Sequence, residues 1–124
     1  MPRNLEPRKT YIISIMDEME FRRRADAAIE DLKQSLIRAE DEIDMEAEEH
    51  AGALHIAFDH PPGKFVITPN APVSQIWISA LVSSFKLDWS ESRKSFILPK
   101  TGEPLKELVG RLIGEQVGQQ VQLT

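Results

Sequence analysis

Apolar side chains at three- and four-residue intervals predict a long amphipathic helix over residues 17–39. The apolar stripe of this helix consists of Phe21, Ala25, Ala28, Leu32, Leu36 and Ala39. Ile29 and Ile37 lie off the centre of the stripe. We therefore expect one face of the helix to pack on a core and the other to be solvated.

The pattern changes to strict alternation in the segment 40–49, which contains seven acids in ten residues. The apolar Ile43, Met45 and Ala47 alternate there with four carboxylates, Glu42, Asp44, Glu46 and Glu48. A period of two predicts a strand with a carboxylate at every outward position. A row of like charges is costly unless the strand lies at a sheet edge or meets cations. We therefore expect one of these two settings.

Five further apolar runs, separated by turn residues, predict strands at 53–59, 64–68, 75–81, 85–89 and 95–98. Prolines and glycine at 61–63 predict a turn, and residues 69–72 predict a break. A second amphipathic helix is predicted at 105–117 and is ended by Gly118. Because the strand connections are too short for parallel crossovers, we predict an antiparallel sheet of about six strands. Both helices then pack on one face, which makes an α+β, two-layer sandwich.

The chain has 124 residues, enough for one domain with a modest core. We predict a flexible N-terminal tail at residues 1–15 and a single domain at residues 16–124. No apolar run approaches the length that spans a bilayer, and the start of the chain lacks the apolar core of a secretion signal. These features predict a cytoplasmic protein. The absence of cysteine excludes disulfides, thiolate metal sites and a catalytic thiol.

Charge is distributed unevenly along the chain. Residues 17–49 hold 13 acids and 5 bases, a net charge of −8, whereas the other residues are net +3, for a total of −5. A negative field repels nucleic-acid phosphates and attracts cations or a basic protein surface. A solvated helix and loop with no binding role is the alternative interpretation.

Carboxylates are hard oxygen ligands, and an open row of them suits Fe²⁺, Fe³⁺, Mn²⁺, Ca²⁺ or Mg²⁺ with retained waters. Because a strand edge cannot wrap a cation, we expect weak and unselective binding. His50, His55 and His60 are spaced by five, and we interpret them as surface histidines, leaving a ligand role for His55 or His60 open. No phosphate-binding glycine loop, nucleophile elbow or helical histidine pair is present, so we expect no enzymatic activity.

Trp77 lies between two isoleucines that should face the core, so Trp77 and Gln75 should face the other side of the sheet. An outward tryptophan either packs on its strand neighbours or provides a docking platform, since exposed tryptophans are enriched at binding hot spots. Lys86 and Asp88 alternate on the next predicted strand and should neighbour Trp77. A surface ion pair and a partner contact both remain open for them.

Residues 75–79, Gln-Ile-Trp-Ile-Ser, preceded by Pro72, resemble the signature strand of the frataxin family. Other segments similar to that family are 52–56, 65–68, 86–89 and 102–105, together with the Glu20-Phe21 pair. The resemblance extends over roughly residues 18–123 and is closest to the bacterial members of the family. It implies the same helix–sheet–helix fold that the hydrophobic pattern predicts.

The resemblance also implies a function. Frataxins bind Fe²⁺ or Fe³⁺ weakly along an acidic ridge on the first helix and first strand, and the same ridge docks on a basic patch of the cysteine desulfurase. This contact modulates iron–sulfur cluster assembly on the scaffold protein. By resemblance we expect an iron-binding regulator of cluster assembly that is monomeric unless iron induces oligomers. An iron-independent interaction module of the same pathway and a ferroxidase or iron-storage protein are the alternatives.

The sequence departs from the family pattern on the first helix. Where the family usually carries an acidic row, this chain has Lys33, Gln34, Ile37 and Arg38. The metal-binding residues that the resemblance implies are therefore Asp26, Glu30, Asp31, Glu40, Asp41, Glu42, Asp44, Glu46 and Glu48. The implied partner-binding residues are Gln75, Trp77, Lys86, Glu42 and Asp44. Iron binding, if retained, is expected to centre on residues 40–48.

Overall fold

The structure is a computed structural model and describes residues 16–124. A helix is followed by six strands and a second helix, with a 3₁₀ turn at Ala71–Val73. The elements are α1 (Glu18–Ala39), β1 (Met45–His50), β2 (Ala53–Asp59), β3 (Pro62–Asn70), β4 (Gln75–Ala80), β5 (Ser83–Ser90), β6 (Ser95–Ile97) and α2 (Leu105–Val117). The predicted tail at residues 1–15 lies outside the described residues. Within residues 16–124, neither helix combines the length and the apolar character that crossing a bilayer requires.

The six strands form one antiparallel sheet in the order in which they follow along the chain. Each strand pairs with the next, from Met45 opposite Phe58 in the first pair to Trp89 opposite Phe96 in the last. The predicted α+β sandwich with an antiparallel sheet is therefore confirmed. β1 and β6 are the outer strands of the described sheet, which gives the acidic β1 the edge position that its charges favour.

Both helices pack on one face of the sheet, where their apolar stripes and alternate strand residues form one buried cluster. The largest fully buried side chains come from both layers and include Phe21, Leu32, Leu36, Leu54, Ile56, Phe65, Ile67, Ile76, Ile78, Leu87, Phe96 and Leu108. Each such side chain contributes about 1.5–3 kcal/mol by leaving water. The opposite face of the sheet is covered by neither α1 nor α2, and we call it the open face.

Helix α1 begins after Asp17, whose carboxylate accepts a hydrogen bond from the backbone N–H of Glu20 at 2.8 Å. The predicted stripe is wrong about Ile29, which is 5% exposed and belongs to the core, whereas Ile37 is 42% exposed. The buried arc of α1 follows the row Ala25, Ile29, Leu32 and Leu36. This row, with steps of four and three residues, places Ile29 near the middle of the buried face.

The first strand is shorter than predicted. β1 begins at Met45, and residues 40–44 form a turn. In this turn the backbone N–H groups of Glu42 and Ile43 both donate to the carbonyl oxygen of Ala39 at 3.0 Å. The turn thus satisfies a carbonyl at the end of α1, which leaves these two donors unavailable to the sheet.

Two other strand boundaries differ from the predicted ones, because the turns beside them contain fewer residues than the sequence suggests. β3 begins at Pro62, which lies opposite Asp59, so only residues 60–61 separate the two strands. A proline is tolerated there because it is the first residue of its strand. β4 ends at Ala80 and β5 begins at Ser83, so the turn consists of two residues. The sequence pattern instead predicts a strand that extends to the first of them, Leu81.

Candidate acidic edge and docking face

The acidic edge, as we define it, consists of four exposed carboxylates, Glu42, Asp44, Glu46 and Glu48. Ile43 and Met45, which alternate with them, are buried in the core. The predicted alternation therefore persists through the turn and into β1, although only the latter half of the segment is a strand. Asp41 is also exposed, one residue before this row.

Two neighbouring carboxylates do not join the acidic edge. The carboxylate of Glu40 turns back and accepts a hydrogen bond from the backbone N–H of Ala47 at 2.8 Å. Glu49 points toward α1, where the ammonium of Lys33 lies 3.2 Å from its carboxylate. Glu40 thus covers an N–H of the outer strand, and Lys33 neutralises Glu49. The sequence alone did not separate these two acids from the rest of the row.

The three candidate acids of α1 are exposed but do not act as one group. Asp31 pairs with Lys106 of α2 at 2.7 Å, on the side of the helix that faces α2. Glu30 accepts a hydrogen bond from Gln34 at 2.8 Å, and Asp26 lies one turn before it. Since Lys33 reaches toward β1, a positive charge stands between these helix acids and the acidic edge.

The candidate metal ligands form an open row on the surface and do not enclose a site. Among residues 16–124, no three side chains of histidine, aspartate or glutamate converge closely enough to hold an ion as they stand. The carboxylates of the acidic edge are arranged in a row, which suits hard cations that keep most of their waters. Iron binding by the nine candidate residues stays a prediction.

The histidines have acidic neighbours that their spacing did not reveal. The ring nitrogen Nδ1 of His60 lies 3.2 Å from the Asp44 carboxylate, across the start of the β1–β2 hairpin. At the other end of that hairpin, His50 Nε2 lies 3.1 Å from the Glu48 carboxylate. Strand pairing creates the first contact, which a search for acids at fixed sequence spacing misses, whereas the second joins residues two positions apart on β1.

The docking face, as we define it, is the part of the open face formed by Gln75, Trp77, Lys86 and Asp88. Trp77 lies opposite Lys86 in the β4–β5 register, and the Lys86 ammonium stands 4.8 Å from the centre of the indole ring. The indole N–H donates to the Gln75 side chain at 2.8 Å, which in turn donates to Asp88 at 2.9 Å. The predicted neighbourhood of Trp77, Lys86 and Asp88 is confirmed.

These contacts hold the indole ring of Trp77 half-exposed and in a fixed orientation. A cation over an indole and a hydrogen-bonded N–H both limit rotation of the ring, so little entropy remains to be lost on binding. Beside the ring, strands β3, β4 and β5 form a depression of about 320 Å³. The geometry therefore provides a rigid aromatic platform next to a shallow recess.

Two carboxyl groups with lowered pKa values lie outside both surfaces. Hydrogen bonds from Lys94 and Trp89 lower the pKa of Glu91 to about 2. A hydrogen bond from Arg111 lowers the pKa of Glu103, in the loop before α2. Both groups are held ionised by structural ion pairs, so neither is poised to exchange protons near neutral pH.

Comparison with known proteins gives one family. A family model described as a frataxin-like domain matches residues 14–119. The chain is 27% identical over 96 residues to the iron–sulfur cluster assembly protein CyaY of Azotobacter vinelandii, covering 76% of this chain and 86% of that protein. It is 28% identical over 82 residues to the protein of the same name from Pseudomonas entomophila, covering 66% and 74%.

The fold has a solved counterpart as well. The frataxin from Psychromonas ingrahamii superimposes with a TM-score of 0.75 at 19% identity, covering 88% of this chain and 99% of that one. An identity this low compares folds only. The helix–sheet–helix arrangement derived from the hydrophobic pattern thus recurs in that structure.

Proposed function

The chain belongs to the frataxin-like family, and on this premise we propose that it serves iron–sulfur cluster assembly in the cytoplasm as a binding protein. In this role it makes and breaks no covalent bonds. The relatives from Azotobacter vinelandii and Pseudomonas entomophila carry the name of iron–sulfur cluster assembly proteins. The absence of cysteine means that another protein must carry the sulfur.

The observation that carries the proposal is the placement of two recognition surfaces on one side of the molecule. Glu46 and Glu48 lie on the open face of β1, and Trp77 lies on the open face of β4. Three strand spacings separate β1 from β4, which is about 14 Å. A complex of two proteins, one with a basic patch and the other with an apolar pocket, can therefore contact both surfaces at once.

We propose the cysteine desulfurase as the partner of the acidic edge and the scaffold protein as the partner of the docking face. Carboxylates at an exposed edge steer a basic surface into place and make the encounter sensitive to salt. The fixed indole of Trp77 supplies apolar contact area at small entropic cost. Together the two surfaces support an adaptor that regulates the rate of cluster assembly.

Iron enters this proposal as weakly bound cargo of the acidic edge. Exposed carboxylates suit Fe²⁺ and Fe³⁺, and the open row leaves room for coordinated water. Lys33 and Arg38 on α1, together with the Asp31–Lys106 pair, reduce the negative charge available next to that row. We therefore expect iron to be held mainly by Glu42, Asp44, Glu46 and Glu48.

The experiment that tests the regulatory role measures desulfurase-driven cluster assembly with and without this protein at two iron concentrations. A change in rate with the wild type, lost in Trp77→Ala, supports the proposal. Met19→Ala is the matched control, because Met19 is an apolar side chain on α1 that is 80% exposed. An unchanged rate with the wild type at both iron concentrations contradicts the proposal, and equal loss in the Met19 variant contradicts the role of Trp77.

Iron dependence distinguishes the second candidate function, a pure interaction module. Anaerobic Fe²⁺ is titrated calorimetrically into the wild type and into a triple variant with Glu42, Asp44 and Glu46 changed to alanine. Weaker binding in the variant supports iron as cargo. The interaction module is favoured if the wild type and the variant bind Fe²⁺ with equal affinity and if the effect on cluster assembly does not depend on the iron concentration. The Lys33 and Arg38 charges on α1 are the observation that keeps this alternative open.

A further inference from the structure

Two imidazoles and a carboxylate are grouped where β1 turns into β2. Glu48 and His50 lie two residues apart on β1 and therefore share a face of the strand. His55 of β2 lies directly opposite Glu48 in the antiparallel register. The turn between the strands is Ala51-Gly52, so the three side chains belong to one tight hairpin. We call them the histidine cluster.

Two separations within the histidine cluster are compatible with a metal centre, although its donor atoms do not converge on one point as they stand. His50 Nε2 lies 3.1 Å from the Glu48 carboxylate, and the rings of His50 and His55 have centroids 5.5 Å apart, edge to face. Two imidazoles bound to one tetrahedral ion, with metal–nitrogen distances near 2.0–2.1 Å, have ring centroids about 5 Å apart. The two rings already lie at nearly this separation.

His55 carries an unexplained polar atom. Its Nδ1 is inaccessible to solvent and has no hydrogen-bond partner among residues 16–124. Buried polar side-chain atoms are paired in the large majority of cases, so an unpaired one calls for an explanation. No hydrogen bond to Nδ1 holds the ring in place. The ring can therefore rotate about the Cβ–Cγ bond without breaking a hydrogen bond at Nδ1, and this rotation exchanges Nδ1 with a ring carbon. After such a rotation, an ion that reached this nitrogen would supply the missing partner.

We propose that His50, His55 and Glu48 bind a divalent ion of borderline softness, such as Zn²⁺ or Ni²⁺, with water completing the coordination. Imidazole is a preferred ligand of these ions, whereas the carboxylates of the acidic edge suit hard cations. The donor atoms do not yet converge on one point, so ring rotation accompanies binding. The site shares Glu48 with the acidic edge, but His50 and His55 belong to neither the acidic edge nor the docking face.

His60 provides an internal control. His60 directly follows β2 and lies beside Asp44. The histidine nearest to it along the chain, His55, lies in the first half of β2, away from His60. Six residues of extended chain separate Asp44 from His50, which is about 20 Å. His60 therefore has an acidic neighbour like that of His50, at a similar distance, but is remote from the imidazole pair.

The test is a calorimetric titration of Zn²⁺ into metal-free protein that carries no polyhistidine tag, in the presence of excess Mg²⁺. We expect one Zn²⁺ per chain. His50→Gln and His55→Gln should each weaken binding by about tenfold or more, since even outer partners of metal ligands are worth 10–100-fold. His60→Gln should bind Zn²⁺ as the wild type does. Equal binding by all three variants, or equal loss in all three, overturns the proposal.

A second measurement tests the site even if the His55 variant does not fold. In NMR spectra of the wild type, Zn²⁺ should shift the imidazole proton signals of His50 and His55 and leave those of His60 in place. His50 is an exposed side chain whose replacement leaves the core intact. If His50→Gln melts like the wild type and still binds Zn²⁺ with unchanged affinity, the site does not exist.

Discussion

At the scale of single side chains, Arg111 joins the loop before α2 to the helix itself. Its guanidinium donates to both carboxylate oxygens of Glu103, at 2.7 and 2.9 Å, and to Glu115 at 2.7 Å. A fork of two parallel hydrogen bonds is the strong form of an ion pair. The same contact lowers the pKa of Glu103 and raises that of Arg111.

We predict that Glu103→Gln lowers the free energy of unfolding by about 1–2 kcal/mol at pH 7, because it removes charge-assisted hydrogen bonds. The folded-state pKa of Glu103 is lowered, so its stabilisation is full above the unfolded value of about 4.3 and is lost as the pH falls through the folded pKa. Urea unfolding at pH 7 and near pH 3 checks this. The gap between wild type and variant should shrink at the lower pH.

Glu115→Gln is the matched control for that experiment, since Glu115 makes one hydrogen bond to Arg111 and is 51% exposed. Exposed pairs of this kind contribute under about 1 kcal/mol. A larger loss from Glu115→Gln than from Glu103→Gln would contradict the assignment of the bidentate pair as the stronger contact.

Two isoleucines of α1 that the sequence pattern treated alike differ in burial, with Ile29 5% and Ile37 42% exposed. We predict that Ile29→Ala lowers the free energy of unfolding by about 2–5 kcal/mol, through lost burial and the cavity left behind. Ile37→Ala should change it by less than about 0.5 kcal/mol. Thermal or urea unfolding of the pair measures the difference, and similar losses in both would contradict the packing of α1.

At the scale of elements, two tight hairpins shape the sheet. The β4–β5 turn is Leu81-Val82, with φ of +52° and +57°, and the β1–β2 turn is Ala51-Gly52, with φ of +51° and +82°. Positive φ at both central residues defines the type I′ turn, which matches the twist of antiparallel strands. Asparagine and glycine suit this turn, whereas the branched Val82 is strained there.

Replacing Leu81-Val82 by Asn-Gly should therefore raise the free energy of unfolding, by about 1–2 kcal/mol, because the strain of two left-handed residues is relieved. Val82 is fully exposed and loses no packing. The single change Val82→Gly isolates the backbone effect from the partial burial of Leu81. Denaturant unfolding checks the result, and a destabilised Asn-Gly variant would show that Leu81 packing outweighs the turn geometry.

The contact between Glu40 and the outer edge of β1 gives a further prediction. Glu40→Ala leaves the N–H of Ala47 without its carboxylate acceptor, so we expect a loss of about 1–2 kcal/mol. Glu40→Gln keeps an acceptor oxygen in place and should lose less. If Glu40→Ala leaves the stability unchanged, the side chain does not cap the strand and is free to act as a ligand.

At the scale of the whole molecule, the two candidate binding surfaces are separated from the hydrophobic core by the sheet. The core and both helices lie on one side of the sheet, and the acidic edge borders the open face that carries the docking face. A partner that bound on this side would therefore meet a negative rim and an aromatic centre without disturbing the core. This separation lets surface variants report on function rather than on folding.

We predict that desulfurase binding weakens as salt increases and that changing Glu42, Asp44 and Glu46 to glutamine flattens this dependence. Trp77→Ala should weaken binding of the scaffold protein while leaving the salt dependence of desulfurase binding unchanged, since an indole contributes apolar contact and no charge. Binding assays at several salt concentrations separate the two effects. A salt-independent wild-type affinity would contradict the role of the acidic edge.

The candidate surfaces were predictable in part. Alternation placed Glu46 and Glu48 outward, and flanking isoleucines placed Trp77 on the open face, because a strand has a fixed period of two. The partners of these side chains were not predictable in the same way. Glu40 bonds to Ala47 and Asp31 pairs with Lys106, and both contacts depend on how separate elements meet.

By itself the sequence determined the order of the elements, the antiparallel meander and the face that each strand buries, since these follow from local periodicity and short connections. The tertiary structure decided what lies side by side across strands and between layers. It brought His50 and His55 together across a hairpin, buried Ile29 and exposed Ile37. Packing and register fix such contacts, and the spacing of residues along the chain does not encode them directly.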